Sequence, residues 1–343
     1  MIVDGVLRDW GERTSYGTVK GRKGRNIFGG RYSKSAKEPK LPGRQKLSAT
    51  TKRAPEVMVK ITGSGKDMRG IKGHLDYISR HGKLEVEDER GLVYHGKEDV
   101  LELRDSWKGT GIPSEKGVRR EVFNVMVSMP PGTDREAVKK AARNFASEVF
   151  ENHQYVFVAH NDEKHPHVHI AVKAVDLDGI RMNPRKADLQ QWREVFASEL
   201  REQGIEANAT PRMARGVIKK AERQVVRHIN KEHAQGKRKA PAKVTVAQRE
   251  EAEWEAAGTK KHSNPAQSKI VERRKQIQRD YGDVARALAK SASTEDKRLA
   301  LSIVDFVKQM PPVTTQHQQR VTELKKQMEK QGRTVYLYED KSR

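Results

Sequence analysis

Residues 155–175, YVFVAHNDEKHPHVHIAVKAV, decide the fold class of this 343-residue chain. Two apolar runs rich in valine lie on either side of the short polar loop NDEKHP. Short apolar runs bounded by turn residues are typical of β-strands. The stretch therefore predicts two consecutive strands joined by a short loop.

Strand and helix patterns continue outward from this stretch. Apolar residues alternate over 57–61 and 121–130, which predicts two further strands, and residues 84–96 resemble a short hairpin. Apolar stripes at helical spacing predict helices over 68–80, 97–108, 133–149 and 189–200. Mixed elements with short connections are typical of an α+β domain, which we expect over residues 55–206.

The charge of the chain is concentrated in its two flanks. The net charge is +23, of which residues 1–55 carry +10, residues 56–205 carry −1 and residues 206–343 carry +14. Basic flanks around a neutral domain favour binding to nucleic-acid phosphates. We predict a flexible basic arm over 1–54 and a basic helical C-terminal region over 207–343.

Composition excludes several other classes of protein. The chain contains no cysteine, which excludes disulfides, thiolate zinc sites and iron–sulfur clusters and fits a reducing cytoplasm. No run approaches the roughly 18 consecutive apolar residues of a membrane-spanning helix. Asp4 and Asp9 do not fit the basic start of a signal peptide. We therefore expect a soluble, cytoplasmic protein without membrane insertion.

Three histidines of the deciding stretch predict a metal site. Strand alternation puts His167 and His169 on one face of their strand. The short loop can bring His160, at the end of the preceding strand, back beside that pair. Three neutral imidazoles suit a divalent cation with coordination positions left open. Asp162 could orient an imidazole or accept a proton, and we expect His165 to be a loop or substrate contact.

Tyr77 is the candidate nucleophile. The stripe of apolar residues on its helix faces the core, and Tyr77 lies about 140° from the centre of that stripe. Gly73 and Gly70 lie one and two turns before it on its own side, which leaves room for a large substrate. An exposed tyrosine followed by a basic residue, Arg80, suits attack on a phosphodiester.

Two separate motifs carry a resemblance to a known family. LDYISRHGKLEVE (residues 75–87) together with HNDEKHPHVHIAV (residues 160–172) resembles the conjugative plasmid relaxases, or mobilisation nucleases. The chain is most similar to the single-tyrosine branch that includes the T-DNA border endonucleases. The likeness covers about residues 57–216 and includes SMPPGT (residues 128–133) and TPRMARG (residues 210–216). Relatives often have asparagine soon after the last strand, where this chain has Lys173.

The resemblance implies a fold, a site and a reaction. It implies an antiparallel sheet flanked by helices, the HUH endonuclease-like palm. Tyr77 is then the nucleophile, Asp162 the assisting carboxylate, and the ligands of a Mg²⁺ or Mn²⁺ ion are His160, His167 and His169. The implied reaction nicks one DNA strand at an origin of transfer by tyrosine transesterification, leaves a 5′-phosphotyrosine, and later rejoins the strand.

The resemblance also implies partners. They are single-stranded and supercoiled plasmid DNA, an accessory relaxosome protein, and a type IV coupling protein with its secretion system. Cleavage needs an unpaired strand held by basic and stacking surfaces. As phosphate contacts we expect Lys72, Arg80, Arg185 and Lys186.

Three other functions fit parts of the sequence. A rolling-circle replication initiator uses similar histidines and tyrosine, but its nucleophile normally follows the histidines, whereas Tyr77 precedes them. A non-catalytic nucleic-acid-binding protein would bind metal without cleaving. A hydrolytic metalloenzyme could hold zinc on three histidines and would form no covalent adduct.

Overall fold

The computed structural model describes Leu7, Trp10 and residues 43–109, 111–217, 222–259 and 264–330. The strands are β1 Met58–Gly65, β2 Val86–Asp88, β3 Val93–Tyr94, β4 Val122–Ser128, β5 Tyr155–His160 and β6 His167–Lys173. The helices of the first part are α1 Gly43–Thr51, α2 Met68–Ile78, α3 Gly96–Lys108, α4 Arg135–Val149 and α5 Lys186–Glu202. Those of the second part are α6 Gln224–Ala234, α7 Lys243–Ala256, α8 Gln267–Ala289, α9 Thr294–Lys308 and α10 Gln316–Lys330.

The six strands form one antiparallel sheet in the order β1-β4-β6-β5-β2-β3. The two strands of the deciding stretch, β5 and β6, pair directly with each other near the middle of this sheet. The predicted hairpin over 84–96 is present as β2 and β3. Helices cover both faces of the sheet, so the predicted α+β class, an antiparallel sheet flanked by helices, is confirmed.

Strand alternation divides the core into two layers. On one face, Val168, Ile170 and Val172 of β6 pack among apolar residues of α4 and α5. On the other face, Ala171 packs with apolar residues of α2 and α3. His167 and His169 share the face of Ala171 because they are separated from it by even numbers of residues. The histidines therefore look toward α2, the helix that carries Tyr77.

The segment predicted as a flexible basic arm contains an ordered helix, so that expectation is wrong for residues 43–51. The side chain of Leu47 in α1 is 0% exposed, and Leu7 and Trp10 are also buried. The hydroxyl of Thr50 lies 2.9 Å from that of Thr210, and Lys46 pairs with Glu194 at 2.8 Å. The prediction failed because the segment is mostly polar, and the few apolar side chains that are buried are too sparse to form a recognisable pattern. Residues 11–42 of the predicted arm lie outside the described residues.

The chain divides into two compact units, Met1–Pro211 with Ala287–Ser302, and Arg212–Arg286 with Ile303–Arg343. In the second unit α7 packs against α10, with Ala252, Ala256 and Val321 buried between them. The predicted helical character of the C-terminal region is confirmed where it is described. None of the described helices has the length and apolar content required to span a bilayer.

Candidate active site

The three histidines meet because of the register of β5 and β6. His160, the last residue of β5, is directly opposite His167, the first residue of β6. His169 lies two residues further along β6, on the same face. The ring centroid of His160 is 5.1 Å from that of His167 and 4.6 Å from that of His169. The structure therefore brings together the three histidines that the sequence singled out.

His160 joins this cluster to the end of α2. Its Nε2 is 2.7 Å from the carbonyl oxygen of Ile78, the last residue of α2. Carbonyls in the last turn of a helix lack partners within the helix, so the imidazole supplies one. The bond requires a proton on Nε2, which leaves the lone pair of His160 on Nδ1. The same contact holds Tyr77, the neighbour of Ile78, beside the histidines.

Tyr77 lies over the histidine cluster with an open face. Its side chain is 53% exposed, whereas its neighbours on the apolar stripe of α2 are buried, so the predicted exposure is confirmed. Its ring centroid is 5.9 Å from that of His169 and 6.4 Å from that of His160. A Cβ added at Gly73, one turn earlier, would meet no other atom within 4 Å outside the helix's own backbone. A substrate can approach the tyrosine from the solvent while the three histidines lie behind it.

Arg80 links Tyr77 to Asp162. Its guanidinium donates to the Asp162 carboxylate at 2.5 Å and lies 5.0 Å from the centre of the Tyr77 ring. A third contact, of 3.3 Å, reaches Nδ1 of His160. The backbone of Arg80 is left-handed, with φ at 52°, just beyond the end of α2. The hydrogen bond from Arg80 lowers the pKa of Asp162, which keeps this carboxylate ionised.

The donor set fits a divalent cation. One nitrogen from each histidine lies within 4.8 Å of the others. Burial lowers the pKa of His169 to about 3 and also lowers the pKa of His160, so both rings are neutral at neutral pH. Nδ1 of His169 is buried and has no hydrogen-bond partner among the described residues. His160 offers its Nδ1 lone pair once the N–H of Arg80 moves away. Neutral imidazoles with free lone pairs are the ligands that transition-metal and related divalent ions accept.

The structure adds two residues to the site that the sequence analysis missed. His74 stacks on Tyr77 at 6.4 Å and lies edge-on to His169 at 6.4 Å. Burial lowers the pKa of His74 to about 4. Its position three residues before Tyr77, on the same side of a helix, could have pointed to it. Arg135 of α4 donates to the backbone carbonyls of His160 and Glu163, and no local pattern foretells that contact.

Several residues predicted as phosphate or substrate contacts make no side-chain contact with the histidine cluster among the described residues. Lys72 is exposed on α2, whereas Arg185 and Lys186 begin α5, which packs on the other face of the sheet. His165 is exposed, and its carbonyl accepts from Nδ1 of His167 at 2.9 Å. Lys173 ends β6 at the opposite end from His167. The phosphate contacts of the three exposed cations therefore stay predictions.

The ammonium group of Lys173 is part of the core. It donates to the side chain of Gln154 at 2.6 Å and lies 5.2 Å from the ring centre of Trp107. Burial lowers the pKa of Lys173 to about 8. Its place in this chain is structural, away from the histidine cluster.

Part of this chain matches a known protein family. Residues 77–205 match the family model described as Relaxase: MobA/VirD2-like, nuclease domain. These residues belong to that family. The matched segment starts at Tyr77 and includes all three histidines and Asp162.

Curated relatives are similar to about half of the chain. The T-DNA border endonuclease VirD2 of Rhizobium radiobacter is 30% identical over 186 residues, which are 48% of this chain and 44% of the relative. The protein of that name from Agrobacterium fabrum is 28% identical over 216 residues, or 54% of this chain and 48% of the relative. The chain thus spans less than half the length of the curated relatives it matches.

Proposed function

We propose that this chain is a relaxase that cuts one DNA strand with Tyr77 and keeps the cut end on that tyrosine. One observation carries the proposal: a half-exposed tyrosine ring lies 5.9 Å from a histidine of a three-histidine cluster that can hold a cation. A nucleophile beside a cation site on an open surface suits attack on a phosphodiester. The relaxase family of residues 77–205 supports the same reading.

The bond changes balance without an external energy source. The phenol oxygen of Tyr77 forms a bond to phosphorus, and the bond from phosphorus to the 3′-oxygen breaks. The phenol proton goes to Asp162 or to solvent at the open edge of the ring, and the leaving 3′-oxygen takes up a proton. One phosphodiester replaces another, so the reverse attack by the 3′-hydroxyl rejoins the strand.

The residues around Tyr77 hold it for this reaction. Asp162 fixes the guanidinium of Arg80, and Arg80 covers one face of the tyrosine ring. A positive charge at this place stabilises the phenolate that Tyr77 has to become. A cation held by His160, His167 and His169, either Mg²⁺ or Mn²⁺, would supply charge neutralisation at the scissile phosphate.

The wider role follows from this chemistry. The proposed substrate is plasmid DNA at an origin of transfer, unpaired at the nick and supercoiled around it. The covalent protein–DNA product suits conjugative transfer, with an accessory relaxosome protein and a type IV coupling protein as partners. A chain without cysteine fits the cytoplasm as the place of the reaction.

The test is a covalent adduct on Tyr77. A single-stranded oligonucleotide spanning the cognate nick, incubated with the full chain and Mg²⁺, should give a protein–DNA species that survives denaturing gels. Peptide mapping should find the nucleotide between Leu75 and Arg80. Tyr77→Phe keeps the ring but removes the nucleophilic oxygen, so the adduct should disappear while non-covalent binding persists.

Two results would overturn the proposal. Strand cleavage by Tyr77→Phe at the wild-type rate would make water the nucleophile, as in a hydrolytic metalloenzyme. An adduct on a tyrosine that follows the histidines would indicate a replication initiator. Tyr281, one such tyrosine, is 0% exposed and donates its hydroxyl to the carbonyl of Ala214 at 3.0 Å, so we expect no adduct there.

A further inference from the structure

Helix α6 and the turn that leads into α7 carry a concentration of positive charge. Residues 222–243 include seven lysines and arginines and two glutamates. We refer to these residues as the basic hairpin. One of its cations, Arg238, pairs with Glu232 at 3.2 Å. Within the described part of the chain, no ion pair is made by Arg223, Arg227 or Lys231, all of which are exposed.

The placement of Arg223 and Arg227 opposes the electrostatics of a helix. Arg223, Arg227 and Lys231 follow one another at four-residue spacing, where like charges repel. The first turn of α6 contains no acidic residue, although its positive dipole end favours one. By contrast, α3 has Glu98 and Asp99 in its first turn, and α9 also has two acidic residues there. Arg223 and Arg227 therefore do not serve the stability of α6, whereas Lys231 lies in its last turn, where the dipole favours a cation.

Polar contacts fix the basic hairpin without burying its face. Asn230 accepts from the backbone N–H of Ala242 at 3.0 Å and donates to the hydroxyl of Thr245 at 2.9 Å. The turn is closed by a bond from the N–H of Lys237 to the carbonyl of Glu232, at 2.9 Å. None of the residues of α6 is buried. A charged surface is thus held in one geometry while its side chains stay open to a ligand.

We propose that the basic hairpin binds the phosphate backbone of duplex DNA. Cations without carboxylate partners gain most from phosphates, because binding releases the counterions condensed on DNA. Proteins that hold single strands add aromatic side chains on which bases stack, and residues 222–243 contain no Phe, Tyr or Trp. The surface therefore suits double-stranded DNA, whose bases are already stacked. This site is separate from the tyrosine chemistry and does not depend on it.

The test measures how salt affects binding to a duplex of arbitrary sequence. The full chain and the variant Arg227→Gln/Lys231→Gln are titrated with a labelled duplex at several KCl concentrations. Each lost phosphate contact should make the slope of log affinity against log salt shallower by about 0.9, so the double variant should lose about 1.8. A second variant, Lys237→Gln/Lys239→Gln, should lose the same amount of salt slope. Its two lysines lie in the turn, outside both helices, so the substitutions leave α6 intact.

The matched control removes two cations that already have carboxylate partners. Arg249→Gln/Arg286→Gln has the same net charge as the first variant, and its two arginines pair with Glu253 and Asp283. Its salt slope should stay close to that of the wild type. If the control lost as much salt slope as the hairpin variants, the effect would come from net charge alone. If both hairpin variants kept the wild-type slope, the basic hairpin would not be a DNA-binding site.

Two further measurements complete the test. Circular dichroism of the hairpin variants should match that of the wild type, since glutamine is a good helix former. The hairpin variants should lose affinity for the duplex and keep the wild-type affinity for a single-stranded oligonucleotide, and an equal loss of affinity for the single strand would refute the duplex assignment. The Tyr77 adduct on a short oligonucleotide should form normally in both hairpin variants, which separates this proposal from the proposed function.

Discussion

Arg80 is the residue through which the parts of the candidate site are connected. Its guanidinium touches the Asp162 carboxylate, the face of the Tyr77 ring and Nδ1 of His160. A planar group with several donors can satisfy all three contacts at once, which a lysine ammonium cannot do. The residue predicted as a phosphate contact is thus in place to orient the nucleophile, and its charge is already shared with a carboxylate.

Replacement of Arg80 by alanine should slow adduct formation much more than it weakens DNA binding. Tyr77 and Asp162 would lose their common partner, and small misplacements of a nucleophile can cost roughly 10²-fold in rate. The measurement is single-turnover adduct formation on an oligonucleotide, with affinity determined in parallel on Tyr77→Phe backgrounds. Lys83→Ala, an exposed cation three residues on, is the control. If both variants lost affinity equally and kept the rate, Arg80 would be a phosphate contact only.

Helix α1 shows how an element that looks like part of a tail can belong to the core. Leu47 is fully buried, and the side chains of Thr50, Asn208 and Thr210 form a hydrogen-bonded group next to it. A buried helix of nine residues is stabilised by such tertiary contacts rather than by its own propensity. Any truncation that treats residues 1–54 as one detachable arm would remove this packing.

Leu47→Ala should therefore destabilise the fold by about 3 kcal/mol, the usual cost of a leucine cavity. Chemical denaturation followed by tryptophan fluorescence measures this free energy of unfolding. Lys52→Ala, at an exposed position beyond the helix, should change it by less than about 0.5 kcal/mol. If the Leu47 variant were as stable as the wild type, α1 would belong to a flexible arm and not to the folded core.

At the scale of the whole molecule, we expect DNA binding and strand cleavage to reside in different parts of the chain. The histidine site lies in a segment with a net charge of −1, whereas the flanks carry +10 and +14. Most of the affinity for DNA should come from the flanks, because phosphate contacts dominate such binding. The histidine site should then determine the rate of strand cleavage and contribute little to the affinity for DNA.

His167→Ala/His169→Ala should abolish strand cleavage and leave the affinity for DNA within a few fold of the wild type. A chelator should produce the same loss in the wild type, and added Mg²⁺ or Mn²⁺ should restore the wild type but not the variant. Calorimetric titration with Mn²⁺ gives a readout independent of cleavage. Full activity in excess EDTA would remove the metal from the mechanism.

The sequence by itself determined the features that depend on local spacing. Alternation with a period of two located β5 and β6 and put His167 and His169 on one face. Helical periodicity put Tyr77 off the apolar stripe of its helix, and the short loop 161–166 required His160 to return beside the pair. Charge counts separated a neutral domain from its basic flanks. Each of these depends on residues close together in the chain.

The tertiary structure decided which distant elements meet, because that depends on packing between residues far apart in sequence. The Ile78 carbonyl, without a partner inside its helix, is satisfied by His160, and this contact helps to hold Tyr77 beside the three histidines. The reach of Arg80 to Asp162 crosses 82 positions of the chain. Leu47 is buried by residues that no nearby pattern reveals. Long-range contacts turned separate motifs into one site.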